Sequence, residues 1–268
     1  MSNKVIIIIL LVSSIATHFA FFGHPNETVF DEVHFGKFVS GYYTGEYYFD
    51  IHPPLGKLMI AGFAKLFDFE PQYSFANIGD KFPDNKYLAL RFLPALAGTL
   101  LPLVIYMLIL ELGTSRMAAF AGALLLVFDN ALLTQSRLML LDPFLLLFGF
   151  TSLLFYFRYF NQLTKHSNIL QNVGMFCDWN LILAAVFAGL AVSIKWTGLS
   201  FIALPLLIES CHRSIKLSYD SFMEYFKRVI IFLSIPFVIY FSVFALHFVL
   251  LPKPGSGDAF MKRGFREN

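Results

Sequence analysis

Hydropathy constrains this chain more than any other feature. Predominantly apolar runs near the length needed to cross a bilayer recur along it, and one long polar stretch interrupts them. Seven such runs stand out, at about 5–22, 87–110, 117–133, 138–157, 181–194, 197–208 and 229–251. The fifth and sixth are short and meet at Lys195-Trp196. They read as two half-length or tilted helices joined by a tight turn, or as one long broken helix, so the count is six or seven. Only 14% of residues are charged and 57% are hydrophobic, against about 25% charged in soluble domains. The expected fold class is therefore all-α, a polytopic membrane bundle forming a single module over residues 1–268. Its 33 Phe and 12 Tyr suit lipid-facing helices and interfacial belts.

Several function classes fall away on composition and pattern. A net charge of +2, with no basic run longer than Lys262-Arg263 or Lys227-Arg228, argues against a nucleic-acid partner. Cys177 and Cys211 sit in different loops with no metal-ligand or redox spacing. A transporter would favour paired inverted repeats, and none is visible. The first run starts like a signal peptide, but Phe19-Ala20-Phe21-Phe22 is bulky where a cleavage site should be small, so it is expected to stay as an anchor.

Basic residues set the expected orientation. With the N terminus cytosolic, Lys4, Arg116, Arg158, Lys165, Arg213, Lys216, Lys227 and Arg228 fall on the cytosolic side, while the opposite short turns hold only Arg137 and Lys195. This topology puts the 23–86 loop and the 252–268 tail on the lumenal or extracytoplasmic side, and leaves both cysteines on the reducing side.

Two amphipathic helices are expected in the long loop. Phe35, Phe38, Val39, Tyr42 and Tyr43 recur at helical spacing after Asp31, and Leu55, Leu58, Met59, Gly62, Phe63 and Leu66 do so after Pro53-Pro54, a favourable helix start. Both suit a position flat on the membrane surface. Residues 70–85, with two prolines and a glycine, read as a connecting turn.

The loop also carries the candidate chemistry. Asp31 fits a helix N-cap and Glu32 a first-turn dipole partner, yet a carboxylate this close to the membrane exit can also serve as a base toward a hydroxyl. Lys57 on a surface helix ordinarily snorkels. Arg91 lies about a turn inside a span, where an unpaired arginine costs several kcal/mol. Arg137 and Asp142 flank one turn of the same face and Lys195 another, each open to snorkelling or ion pairing. The expected topology brings Arg91, Arg137 and Lys195 to one face, beside the loop carrying Asp31, Glu32, His52 and Lys57, and such cations over carboxylates suit an anionic, lipid-linked phosphate donor. Asp31 and Glu32 are adjacent and diverge on a helix, so no carboxylate cluster for a metal is expected.

These residues resemble a known family, the dolichyl-phosphate-mannose protein O-mannosyltransferases of the multispanning GT-C glycosyltransferase class. The resemblance rests on Phe30-Asp31-Glu32-Val33-His34-Phe35-Gly36, His52-Pro53-Pro54-Leu55-Gly56-Lys57, Arg91 with Pro94 and Gly98, Thr134-Gln135-Ser136-Arg137-Leu138 through Asp142, and Lys195-Trp196-Thr197-Gly198-Leu199. Five motifs in order over nearly the whole chain are specific. The resemblance implies inverting transfer of mannose from dolichyl phosphate mannose to Ser or Thr hydroxyls of secretory proteins, in the endoplasmic reticulum membrane (the plasma membrane in a prokaryote), with no metal or other cofactor. It implies Asp31 as catalytic base with Glu32 beside it. Arg91 would be an essential arginine, with Lys195, Arg137 and Lys57 toward the donor phosphate and His34, His52 and Asp142 in support. It also implies a homo- or heterodimer with a family member. Relatives are usually longer, with a lumenal MIR domain and further spans after a segment like Gly255-Ser256-Gly257-Asp258, so a MIR domain would begin where these 268 residues stop. Alternative readings are a pairing subunit that does not turn over, or a GT-C transferase of another polyprenyl-phosphate sugar.

Overall fold

A computed structural model describes residues 2–71, 73–165, 178–213, 219–262 and 264. Cys177, Lys216 and Arg263 lie outside the described residues, as do the side chains of Lys165 and Arg213. Cys211 is a free, exposed thiol. Among the described residues the regular structure is entirely helical. The helices are α1 Asn3–Phe19, α2 Glu32–Thr44, α3 Leu55–Lys65, α4 Tyr87–Glu111, α5 Arg116–Val127, α6 Asn130–Ser136, α7 Asp142–Lys165, α8 Trp179–Val192, α9 Ser200–Arg213 and α10 Tyr219–Leu250, with short 3-10 turns at Trp196–Leu199 and Ser256–Phe260.

Among the described residues three helices are long and apolar enough to cross a membrane, α4, α7 and α10. The run at 117–133 is instead a broken span: α5 and α6 meet at a 56° bend, because Asp129 caps a new helix by accepting from the Leu132 N–H at 2.8 Å. Counting that pair gives a fourth span, while α1, α8 and Trp196–Cys211 are shorter apolar helices. At 1.5 Å per residue, α8 and α9 are each about 20 Å long, short of the roughly 30 Å hydrocarbon core. They are joined, as the sequence suggested, by a tight turn through Lys195.

Helices in lipid gain little from apolarity when they meet, so small residues and hydrogen bonds do the packing. On α8, Ala184, Ala185, Ala188, Gly189 and Ala191 are all buried, which lets α7 and α10 approach closely. The Ser152 hydroxyl of α7 donates to the Ala184 carbonyl at 2.7 Å. By contrast, α10 presents much of its length outward, with Phe237, Val238 and Phe241 exposed.

Three expectations need correction. Residues 138–141 are apolar but not helical; they form a buried connector between α6 and α7, and α7 starts only at Asp142. On α3 the buried face is Gly56, Lys57, Ile60, Ala61 and Ala64, whereas Gly62 and Leu66 of the expected apolar stripe are exposed. Helix α3 thus turns a face containing a lysine inward and an apolar edge outward. The connector 70–85 is more than a turn. Its Tyr73, Phe75 and Phe82 pack around α2 and α4, and it pairs with 26–28 through Thr28 N–H to Asp80 O (2.8 Å) and Phe82 N–H to Asn26 O (3.0 Å).

Candidate active site

One end of the bundle gathers nearly all the residues singled out above. The C terminus of α1, helices α2 and α3, the N termini of α4 and α7, the α8–α9 turn and the end of α10 all meet there.

Arg91 and Glu32 form its buried centre, at 1% and 0% exposure. Arg91 Nε donates to Glu32 Oε1 at 2.7 Å and Nη2 to Oε2 at 2.6 Å, a bidentate fork. The other guanidinium donors reach the carbonyls of Pro25 (2.6 Å), Glu27 (2.8 Å) and Gly23 (3.5 Å). The rings of Tyr87 and Phe82 lie 5.1 and 5.3 Å from its carbon. Glu32 in turn accepts from the N–H groups of Val29 and Met139, both at 2.9 Å. The pair therefore ties the 23–32 loop, α4 and the 138–141 connector together. Every N–H of Arg91 is committed inside the protein, so the geometry gives this arginine a holding task in place of the expected phosphate contact. Glu32 is likewise sealed from solvent and carries no free carboxylate oxygen.

Asp31 differs from its neighbour. It occupies the N-cap position of α2, yet its carboxylate makes no capping bond, and among the described residues it has no hydrogen-bond or ion-pair partner. The residue is half-buried. Phe30 before it is exposed and sits at φ +51°, a conformation that bulky residues rarely adopt. The backbone thereby turns Glu32 inward while Asp31 stays accessible. His34, also expected in support, is exposed on α2.

A second cluster centres on Lys57. Lys57 is fully buried; its Nζ donates to Asp50, to the His52 carbonyl at 2.8 Å and to the Pro53 carbonyl at 3.2 Å. Burial pulls this ammonium below its ordinary value, and Asp50 pulls it back. With its three donors used, Lys57 shapes the His52-Pro53-Pro54 turn and offers nothing to a phosphate. The His52 ring stacks on Phe35 at 6.4 Å, linking this turn to α2, whose N-cap is Asp31. Burial lowers the His52 pKa, and so do Lys195 and Lys57, against the opposing pull of Asp50 and Asp142.

Lys195 is paired but partly exposed. It holds both oxygens of Asp142 at 2.8 and 2.9 Å, and the two side chains are 19% and 33% exposed. Asp142 is thus paired with Lys195 and not with Arg137. Arg137 donates to the carbonyls of Ala20 and Phe21, both at 2.7 Å, and secures the exit of α1. The Leu55 N–H bonds the Ser193 carbonyl at 3.1 Å, which fixes the His52 turn beside Lys195. Sequence reasoning missed Asp50, seven residues before Lys57, and the Tyr42 hydroxyl, which lies 2.8 Å from His247 of α10. The signal for Asp50 was its place just ahead of Ile51-His52-Pro53-Pro54 in a loop where a buried lysine needs an anion. Among the described residues, no three His, Cys, Asp or Glu side chains group closely enough to hold a metal ion.

The fold is that of a GT-C-type membrane module. It superposes with a TM-score of 0.61 on an archaeal oligosaccharyltransferase, AglB from Archaeoglobus fulgidus, over 92% of this chain and 29% of that one; at 16% identity this is a likeness of fold alone. It superposes far more closely, with a TM-score of 0.87 and 30% identity, on the Saccharomyces cerevisiae protein O-mannosyltransferase Pmt1–Pmt2 complex bound to the sugar donor, covering 100% of this chain and 36% of that one. The family model for dolichyl-phosphate-mannose-protein mannosyltransferases matches residues 8–252, and the chain belongs to that family. It is 35% identical to Protein O-mannosyltransferase 1 of Drosophila melanogaster over 96% of this chain and 29% of that protein. It is also 35% identical to Dolichyl-phosphate-mannose--protein mannosyltransferase 4 of Candida albicans, over 95% of this chain and 34% of that protein. The chain therefore spans about a third of the length of the relatives it matches.

Proposed function

We propose that this chain carries the transfer site of a protein O-mannosyltransferase, moving mannose from dolichyl phosphate mannose to Ser or Thr hydroxyls of secretory proteins. The observation that carries the reading is the Asp31 carboxylate, unpartnered among the described residues and half-buried at the helix end where the bundle's buried charges converge. Family membership and the likeness to a donor-bound mannosyltransferase complex support it.

In this reading Asp31 takes the proton of the acceptor hydroxyl as its oxygen bonds the sugar's anomeric carbon from the face opposite the phosphate. The bond from that carbon to the phosphate oxygen breaks, its electron pair leaves with dolichyl phosphate, and the configuration inverts. Lys195 is the cation best placed to meet the departing phosphate, with Asp142 steering its ammonium. Arg91, Glu32, Arg137, Lys57 and Asp50 are positioning residues that hold the backbone around Asp31 and His52. The site end would face the lumen of the endoplasmic reticulum with the N terminus cytosolic, and the chain would pair with a second family member. No metal is needed, since charge on the leaving phosphate meets a fixed cation.

The test is Asp31→Asn in the full chain, assayed with dolichyl phosphate mannose and a Ser/Thr peptide. The amide keeps the shape but cannot take the proton. Turnover should fall to background while the variant inserts and unfolds like the parent; normal turnover would remove Asp31 from the mechanism.

A further inference from the structure

After α10 the chain does not leave the site. Leu251 packs with Tyr47 and Tyr48, and Lys253 pairs with Glu46 as an isolated parallel bridge. The Tyr47 N–H donates to the Lys253 carbonyl at 2.9 Å, the Lys253 N–H to the Gly45 carbonyl at 2.9 Å, and the Gly257 N–H to the Tyr47 carbonyl at 3.1 Å. Lys253 Nζ caps the end of α2 by donating to the Thr44 carbonyl at 2.7 Å. Phe260 then stacks on Phe49, with centroids 4.9 Å apart and planes 20° from parallel.

The contact is too close for side chains at two positions. A Cβ on Gly255 would sit 2.2 Å from the Tyr47 carbonyl oxygen, and one on Gly257 2.5 Å from the Phe49 nitrogen. Both approaches are to backbone, which cannot move aside without shifting the loop. That loop leads directly into Asp50 and His52. Beneath it lies a cavity of about 100 Å³ lined by Asp50, His52 and Lys57 from the loop and α3, His247 from α10, and Met261 from the tail.

We infer that residues 253–261 are a positioning element of the transfer site, in which Gly255 and Gly257 let the tail bind the 45–49 backbone and so fix Asp50 and His52. The inference rests on the mannosyl-transfer reading for its activity arm and on geometry for the rest. Among the described residues the tail's hydrogen bonds and ring stacking go to 44–49 and not to Asp31 or Lys195, so the brace reaches the reacting groups only through the loop.

The experiment uses Gly255→Ala, Gly257→Ala and Phe260→Ala in the full chain in detergent, with Phe260→Tyr as the conservative restoration and Gly264→Ala as the control, since a Cβ there meets nothing within 4 Å. Two quantities are read: amide hydrogen exchange of residues 45–52, and kcat and KM for mannosyl transfer. The glycine variants should speed exchange at Tyr47 and lower kcat by roughly ten- to hundredfold with KM for donor and acceptor changed little, as expected when reacting groups are displaced by a fraction of an ångström. Phe260→Ala should do the same more weakly, Phe260→Tyr should restore it, and α4 and α7 should exchange as in the parent throughout. Parental exchange at 45–52 in the glycine variants would overturn the brace whatever the activity. Faster exchange with unchanged kcat would overturn its link to the site. A parent chain with no mannosyl transfer would instead sink the functional reading, and the exchange arm would still judge the brace.

Discussion

Replacing Arg91 separates a holding arginine from a phosphate-binding one. In Arg91→Met the fork to Glu32 and the bonds to the Gly23, Pro25 and Glu27 carbonyls vanish together, and Glu32 is left as a buried carboxylate with only the Val29 and Met139 N–H groups for partners. Removing one partner of a buried ion pair costs about 3–5 kcal/mol. Arg91→Lys keeps the charge but has three donors and no planar fork, so it should recover less than half of that loss. Glu32→Gln should be nearly as damaging as Arg91→Met, since it strands the guanidinium. The double variant Glu32→Gln/Arg91→Met should lose about 2 kcal/mol less than the sum of the two singles, because no unpaired charge remains. The assay is thermal unfolding of each variant in one detergent, followed by intrinsic fluorescence, beside donor and acceptor KM on the folded fraction. Unfolding midpoints should drop by about 10 °C for the single variants. An Arg91→Met protein that unfolds at the parental temperature while donor KM rises at least about tenfold would refute the reasoning and return Arg91 to the phosphate.

Lys195→Gln should weaken use of the lipid-phosphate donor, raising its KM or lowering kcat/KM by about 1.5–3 kcal/mol, with acceptor KM little changed; separate donor and acceptor titrations decide this. Lys57→Met should destabilise the protein unless Asp50 is changed to Asn with it, a rescue that unfolding midpoints will show, because the stranded Asp50 carboxylate is the main cost. His52 should add a pH-dependent component to stability. Its native pKa lies below the ordinary 6.5, chiefly through burial, so the unfolded chain binds that proton first; the contribution is complete above about pH 6.5 and is lost as pH falls through the native value. His52→Gln should flatten the unfolding profile in that window. Stripping the protein with a chelator should leave mannosyl transfer unchanged, and loss of turnover restored by added magnesium or manganese would move Asp31 from base to ligand.

The sequence made the bundle legible because a membrane core accepts only apolar segments of a certain length, and a polar loop between two of them is conspicuous. It was less informative about faces. In water an apolar stripe points to the core, but beside a bilayer both the core and the lipid are apolar, so the stripe on α3 and the run at 138–141 could be placed on neither side by hydropathy alone. Leu138, Met139, Leu140 and Leu141 are apolar because they lie under α2 and α3, not because they cross lipid.

Charges were legible in a complementary way. An arginine inside a span must be paired, and that much follows from position alone, but the partner is 59 residues away in sequence and is fixed only when Met139 and Val29 orient Glu32 toward it. Adjacent acidic residues then divide their tasks by geometry. The first helical position of α2 faces the bundle and takes the ion pair, while the N-cap residue before it is turned outward and keeps its carboxylate available. The Asp31-Glu32 pair is therefore one structural device: the buried member anchors the loop that presents the free one. On the proposed mechanism, a change at Glu32 would silence transfer without Glu32 touching substrate, and its cost in stability would distinguish that effect from the loss of a base at Asp31.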